Sequence, residues 1–395
     1  MHREDFNIFN NDVIYFDNGA TTQKPKVLVE SISDYYSNYT ANAHRGDYDF
    51  SMKVDCNYED TREEVKRFIN ASSTKQIAFT SGTTDSINKI ILGHYMNCLK
   101  KEDEVILSIS EHASNILPWY ELVDKIGIKI VFVKLDENLK VTLDNIKKAI
   151  SNKTKVISLA HITNVVGDIR PIKEITAFAH EKNIEVLVDG AQSVAHLKTD
   201  VQDLDIDFLA FSAHKMCGPT GVGVLYAKDL TKVIPVIVGG GMNASFETDG
   251  TKVYNEVPHC LEAGTPNIAG VIGFGAVLKY LDNIGIDNIR RYETILRSYA
   301  LSKLKLIDNI IIYNEFSESG IISFNYKDIF SQDLAIYLNK FNICVRAGNH
   351  CAKILKDDLN IKNTCRISFY FYNNLEEIDI LIDKLNNANI KDEII

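Results

Sequence analysis

The sequence predicts an α/β protein with a mostly parallel central sheet and a smaller α+β lobe toward its C-terminal end. Three observations carry this. Short apolar runs alternate with amphipathic helical stretches from about residue 77 onward, the pattern of a sheet covered by helices on both faces. The alternation breaks near residue 235 and gives way to a different pattern after residue 310. At 395 residues the chain also exceeds the length at which a single core usually stops growing.

The elements follow in order. Ile77-Ala78-Phe79 reads as a strand and precedes a helix over 84–100, with Ile87, Ile90, Ile91, Tyr95 and Leu99 on one face. Strands are expected over 105–107, 130–133, 156–159, 186–188, 208–211 and 222–226. Pro171 opens a helix at its first turn, where a missing N–H does no harm. Residues 235–262 read as irregular around Gly239-Gly240-Gly241, and a long amphipathic helix is expected over 284–306. Strands near 320–324, 343–346 and 365–369 complete the smaller lobe. The expected division is an N-terminal segment 1–20, a large domain 21–280 and a small C-terminal domain 281–395.

Bulk properties narrow the chemistry. A net charge of -10 argues against nucleic acid or an anionic membrane as the main partner. No uninterrupted apolar run approaches a membrane span. The polar start Met1-His2-Arg3-Glu4-Asp5 resembles neither a signal nor a transit peptide. Cys56, Cys98, Cys217, Cys260, Cys344, Cys351 and Cys365 are scattered without a CxxC pair. They read as reduced thiols of a cytoplasmic protein rather than a disulfide framework or a zinc site, and no metal is expected.

Lys215 closes Phe211-Ser212-Ala213-His214-Lys215, a tight turn after an apolar strand. Such a lysine can form a Schiff base with an aldehyde cofactor, and Asp189 at a neighbouring strand end can keep a pyridine nitrogen protonated. Together they point to pyridoxal phosphate. Gln192, in Val188-Asp189-Gly190-Ala191-Gln192, is placed to donate to the phenolic oxygen of that ring. Thr80-Ser81-Gly82-Thr83-Thr84 sits between strand and helix, where free N–H groups suit a phosphate. An ordinary N-cap with a glycine turn gives the same pattern. Ser212 and His214 are further phosphate donors. His112 follows another strand end and reads either as a ring stacked on the cofactor or as a loop histidine. In Val345-Arg346-Ala347-Gly348-Asn349-His350-Cys351-Ala352, the cationic neighbours favour the thiolate of Cys351. Arg366 is either a fork for a substrate carboxylate or a surface ion pair.

Taken in order, further segments join these: Tyr15-Phe16-Asp17-Asn18-Gly19-Ala20, His44-Arg45-Gly46, Glu111-His112 with Asn115, and His161-Ile162-Thr163-Asn164. Gly218-Pro219-Thr220-Gly221 and Glu262-Ala263-Gly264-Thr265-Pro266-Asn267 complete the set. The chain thereby resembles the class V aminotransferase-like pyridoxal phosphate enzymes of fold type I, and among them the SUF-type (group II) cysteine desulfurases. The resemblance implies that Lys215 holds the cofactor, with Asp189, Gln192 and His112 around its ring. Thr83, Thr84, Ser212 and His214 would bind its phosphate, joined by Thr265 from the second subunit of a homodimer. Asn164 would sit beside cofactor and substrate, and Arg366, Arg346, His44 and Arg45 would line the substrate side. The implied reaction turns L-cysteine into L-alanine and leaves a persulfide on Cys351, to be passed to a sulfur-acceptor protein of the SUF system for iron-sulfur cluster assembly. Selenocysteine lyase or cysteine sulfinate desulfinase is the alternative on the same site. Two departures stand out. Asn349 replaces the first histidine of the usual Arg-x-Gly-His-His-Cys loop, and Gln332 stands before Asp333 where relatives with a zinc-bound acceptor carry histidine.

Overall fold

The computed structural model describes residues 2–43 and 46–386. Strand β1 (Ile14–Tyr15) is short and joins the C-terminal lobe. The central sheet is built from β2 (Ile77–Thr80), β3 (Glu104–Ser108), β4 (Lys129–Val133), β5 (Thr154–Ala160), β6 (Glu185–Asp189), β7 (Phe208–Ser212) and β8 (Gly223–Ala227). Its order is β2-β8-β7-β6-β5-β3-β4. Every pairing is parallel except those of β8, which runs against both β7 and β2. The inner strands β5, β6 and β7 are buried almost throughout, as expected of Val, Ile, Leu and Phe-rich strands covered on both faces.

One face packs under the helices Lys26–Asn38, Asp49–Phe68 and Ile268–Ile284, and the other under the segment that carries Ile87, Tyr95 and Trp119. The expected helix over 84–100 is not continuous. An α-helix Thr83–Ile90 passes into a π-turn Ile91–Tyr95 and ends with Met96–Cys98. The widened turn sets Gly93 against the main chain of Ile234, whose N–H donates to Gly93 O at 3.1 Å. A Cβ on Gly93 would stand 2.5 Å from Ile234 O. Pro171 is the N-cap of the helix Ile172–His180 rather than its first residue.

Two further expectations are corrected. Residues 235–262 contain an exposed antiparallel hairpin, β9 (Asn243–Phe246) with β10 (Lys252–Tyr254). The expected helix over 284–306 is the second of a pair, Ile268–Ile284 and Ile286–Leu304, bent by 71°. Gly285 at the joint adopts φ 86°, a left-handed conformation that favours glycine. Helix Ile268–Ile284 is buried nearly all round, so it carries no amphipathic stripe to read.

The C-terminal lobe holds an antiparallel sheet of order β11-β12-β15-β14, made of β11 (Ile310–Ile312), β12 (Ile321–Tyr326), β14 (Arg346–Gly348) and β15 (Thr364–Ser368). The strand expected over 343–346 divides at Val345, and β13 (Ile343–Cys344) pairs in parallel with β1. Ile14 and Phe16 are therefore part of this lobe's core, packed with Leu296, Phe324, Leu338 and Phe369. At the C-terminal ends of β5, β6 and β7, Ala160 pairs with Asp189 and Asp189 with Ala210, and β7 runs two residues further to Ser212. Ligands in such sheets bind at these ends.

Candidate active site

A cavity of about 220 Å³ opens at those strand ends and is closed on the far side by Arg346, His350, Cys351 and Arg366 of the C-terminal lobe.

Its first wall comes from two glycines. A Cβ on Gly223 would lie 2.4 Å from Gly82 Cα, so bare backbone meets bare backbone where β8 passes the turn after β2. This contact brings the start of helix Thr83–Ile90 onto the end of β7. Thr83 N–H donates to Ser212 Oγ at 2.7 Å, and the two hydroxyls are 2.6 Å apart. Thr84 Oγ1 meets Ser114 Oγ at 2.8 Å. Thr83, Thr84, Ser212 and His214 line both the cavity and an adjoining recess with Ser81, Thr220 and Gly221. A helix N-terminus ringed by hydroxyls is an environment suited to a phosphate.

Asp189 and Lys215 face the same cavity. Burial raises the Asp189 carboxyl to about 6, although Ala191 N–H donates to it at 2.9 Å. Burial lowers the Lys215 amine to about 8 against the attraction of Asp189. Burial, with Lys215, Arg346 and Arg366, lowers His112 to about 4, so the ring is neutral near pH 7. Ser114 N–H donates to His112 Nδ1 at 3.1 Å, which makes that nitrogen the acceptor and puts the ring proton on Nε2. Gln192 lines the cavity and commits one amide N–H to Gly19 O at 2.8 Å.

Beneath His112 lies a buried network that has no obvious signature in the sequence. Arg170 pairs with Glu111, both side chains fully buried, and donates to Ser110 Oγ at 2.8 Å and Ala160 O at 3.0 Å. The second Glu111 oxygen accepts from Asn115 Nδ2 and Ala160 N, each at 2.8 Å. Asn115 in turn accepts from Ser158 Oγ at 2.6 Å. The network ties the loop that carries His112 to the end of β5. Glu111 and Asn115 are parts of a recognised segment, but nothing in the sequence points to Arg170 as their partner.

The cysteine loop is docked by its main chain. Asn164 Nδ2 donates to His350 O at 2.7 Å, and Ala113 N–H donates to Cys351 O at 2.9 Å. His350 and Cys351 both have positive φ, 52° and 56°, and Cys351 is exposed. The His350 ring turns inward, its Nε2 3.0 Å from Thr364 O. Burial lowers its pKa to about 3, so it is neutral, and its buried Nδ1 makes no hydrogen bond. The expected support of Cys351 by this histidine is thus corrected: among the described residues no hydrogen bond joins the ring to the thiol. Asn349, in place of the usual histidine, is exposed.

Arg366 is 2% exposed and forms a buried ion pair, not a surface one. It donates to Asn164 O at 2.9 Å and to Asp17 Oδ1 at 3.0 Å, while its Nε is buried and unpartnered. Asn164 Oδ1 is likewise buried without a partner.

The cavity therefore brings together Lys215, Cys351, His112, Thr83, Thr84, Asn164, Asp189, Gln192, Ser212, His214, Arg366 and Arg346. Thr265 does not join them: it is exposed and outside the cavity of its own chain. His44 and Arg45 lie outside the described residues. No group of three or more His, Cys, Asp or Glu suited to a metal ion occurs among the described residues.

Residues 14–381 match the family model described as aminotransferase class-V. The chain belongs to this family. This class-V member is 41% identical to the probable cysteine desulfurase of Halalkalibacterium halodurans, over 95% of its own length and 93% of the relative's. Against the cysteine desulfurase of Haloferax volcanii the identity is 37%, over 95% and 89%. Among solved structures, the apo cysteine desulfurase from Thermococcus onnurineus superposes with a TM-score of 0.93 at 36% identity, covering 97% and 96% of the two chains. The S-sulfonic acid form of the cysteine desulfurase CsdA from Escherichia coli gives 0.91 at 34% identity, again covering 97% and 96%.

Proposed function

We propose that this class-V family member is a pyridoxal phosphate-dependent cysteine desulfurase that forms a persulfide on Cys351. The observation that carries the reading is that Lys215, Asp189 and Cys351 share one cavity. The residues present fit the cofactor. A buried carboxylate raised to about 6 gains from a cationic ring nitrogen, and a partly neutral amine stands in the same cavity. Asp189 would take the pyridine nitrogen, Gln192 the phenolic oxygen and His112 the ring face. Thr83, Thr84, Ser212 and His214 would take the phosphate, with Thr265 of a second copy of this chain. When bound, the cofactor supplies an electron sink for a carbanion at the substrate's Cα.

The chain's own groups supply the rest. Arg366, with its free Nε, and Asn164 hold the substrate carboxylate, and Arg346 lines the approach. Lys215 Nζ, partly neutral at pH 7.5, takes the Cα proton. Cys351 Sγ then attacks the substrate sulfur: the S–S bond forms as the substrate's C–S bond breaks, and Cβ gains a proton. L-Alanine leaves, and both sulfurs are oxidised as Cβ is reduced by two electrons, so no external oxidant enters.

We infer further that the enzyme is a homodimer, works in the cytoplasm and hands its sulfur to an acceptor protein of a SUF-type system for iron-sulfur cluster assembly. The free state of all seven cysteines and the exposure of Cys351 support a reducing compartment and transfer to a protein. No single described helix is long and apolar enough to cross a membrane. The deciding experiment is alanine release from L-cysteine by Cys351→Ala. A loss of about a hundredfold or more is expected, the scale for removal of a nucleophile. Undiminished release would rule out the persulfide and favour lyase or desulfinase chemistry on the same site.

A further inference from the structure

The segment Tyr15-Phe16-Asp17-Asn18-Gly19 lies along β15, the strand that carries Arg366. Ser368 N–H donates to Phe16 O at 2.7 Å, Asn18 Nδ2 donates to Ser368 O at 2.6 Å, and Gly19 N–H donates to Ser368 Oγ at 2.7 Å. Tyr15 closes the turn by donating to Thr21 O at 2.9 Å. Gly19 has a specific reason to be glycine: a Cβ there would lie 3.1 Å from Arg366 Cζ, so the guanidinium rests on bare backbone. Asp17 contacts Arg366 at 3.0 Å through one oxygen and Arg346 at 3.8 Å through the other. Both arginines line the cavity and Asp17 does not, so it backs them from outside the space a ligand would fill.

We propose that residues 15–19 form a cradle that sets Arg366 for the substrate carboxylate, with Asp17 as the positioning residue. This rests on the reading that the substrate is an amino acid. The guanidinium is fixed from two sides, by Asn164 O and by Asp17, which leaves Nε and the remaining N–H groups for a ligand. One carboxylate also lets two cations share a wall. Without it Arg346 and Arg366 repel, and Arg366 keeps only the carbonyl contact on one side.

The test uses the full-length, cofactor-loaded protein and two probes of the same size, L-alanine with its carboxylate and L-alaninamide with a neutral amide in its place. In Asp17→Asn, affinity for L-alanine measured by spectral titration should fall about tenfold while that for L-alaninamide stays within about twofold, the scale expected when one partner of a charge pair is neutralised. KM for L-cysteine should rise with kcat within about threefold, the mark of lost binding rather than lost chemistry. Unchanged L-alanine affinity overturns the proposal, and so does an equal loss for both probes. Should Asp17→Asn fail to fold, Asp17→Glu keeps the charge but displaces it, and Gly19→Ala pushes on the guanidinium directly. Each should show the same carboxylate-selective loss, and a loss common to both probes counts against the cradle. If the unmodified protein released no alanine from L-cysteine, the desulfurase reading would fail, while the two-probe comparison would still decide the role of Asp17.

Discussion

Asp189→Asn should stabilise the cofactor-free protein while weakening its hold on the cofactor. A carboxyl held at about 6 by burial, against 3.8 when unfolded, costs about 3 kcal/mol to keep ionised at neutral pH. Asparagine removes that cost and keeps an acceptor for the Ala191 N–H. The attraction of Lys215 is already contained in the value of about 6, so the net gain is about 3 kcal/mol at pH 7.5. The sign fixes the pH window. A carboxyl raised in the folded state favours folding below 3.8 and loses that advantage as pH rises toward 6. The benefit of removing it should therefore shrink to about 2 kcal/mol by pH 5.5 and vanish below 3.8. Urea unfolding of both cofactor-free proteins at the two pH values measures this. A variant less stable than its parent at pH 7.5, or a gain that grows on acidification, refutes the reasoning.

Two more outcomes follow from packing and charge. Glu111→Gln leaves Arg170 buried with Asp168, 3.5 Å away, as its remaining counter-charge and should lower stability by about 3 kcal/mol in urea melts, of which the added Arg170→Met should restore only part, since it takes the partner from Asp168. Gly223→Ala drives a Cβ to within 2.4 Å of Gly82 Cα, backbone that has no side chain to move aside. It should cost about 1–3 kcal/mol, and the displaced helix start should show as faster cofactor loss on dilution, read by absorbance.

The large sheet was legible because its strands are short runs of Val, Ile, Leu and Phe that need no partner to be recognised. Helix Ile268–Ile284 was not. Gly270, Gly273 and Gly275 lower helix propensity, yet a Cβ on Gly273 would strike Leu28 and Ile32 at 2.8 Å, and one on Gly275 would strike Thr61 at 2.4 Å. Gly273 and Gly275 serve close packing between helices, which a single sequence does not reveal, and Gly270 makes room for the side chain of Asn267, the helix's own N-cap. The residues around the cavity were readable where they sit at strand ends or helix starts, as Asp189, Ser212 and Thr83 do. Pairings across the fold were not. Asp17 and Arg366 are 349 residues apart, and the direction of the His350 ring depends on Thr364 and Lys356, which no local pattern singles out.

The loop that bears Cys351 is fastened to the large lobe through the carbonyls of His350 and Cys351, with Asn164 and Ala113 as donors. Neither fastening involves the sulfur. Whatever the thiol carries, it can be loaded and stripped without altering the bonds that moor its own backbone, so the loop needs no re-docking between one delivery and the next. The atom exchanged is the outer sulfur carried on Cys351, which is none of the atoms that moor the loop.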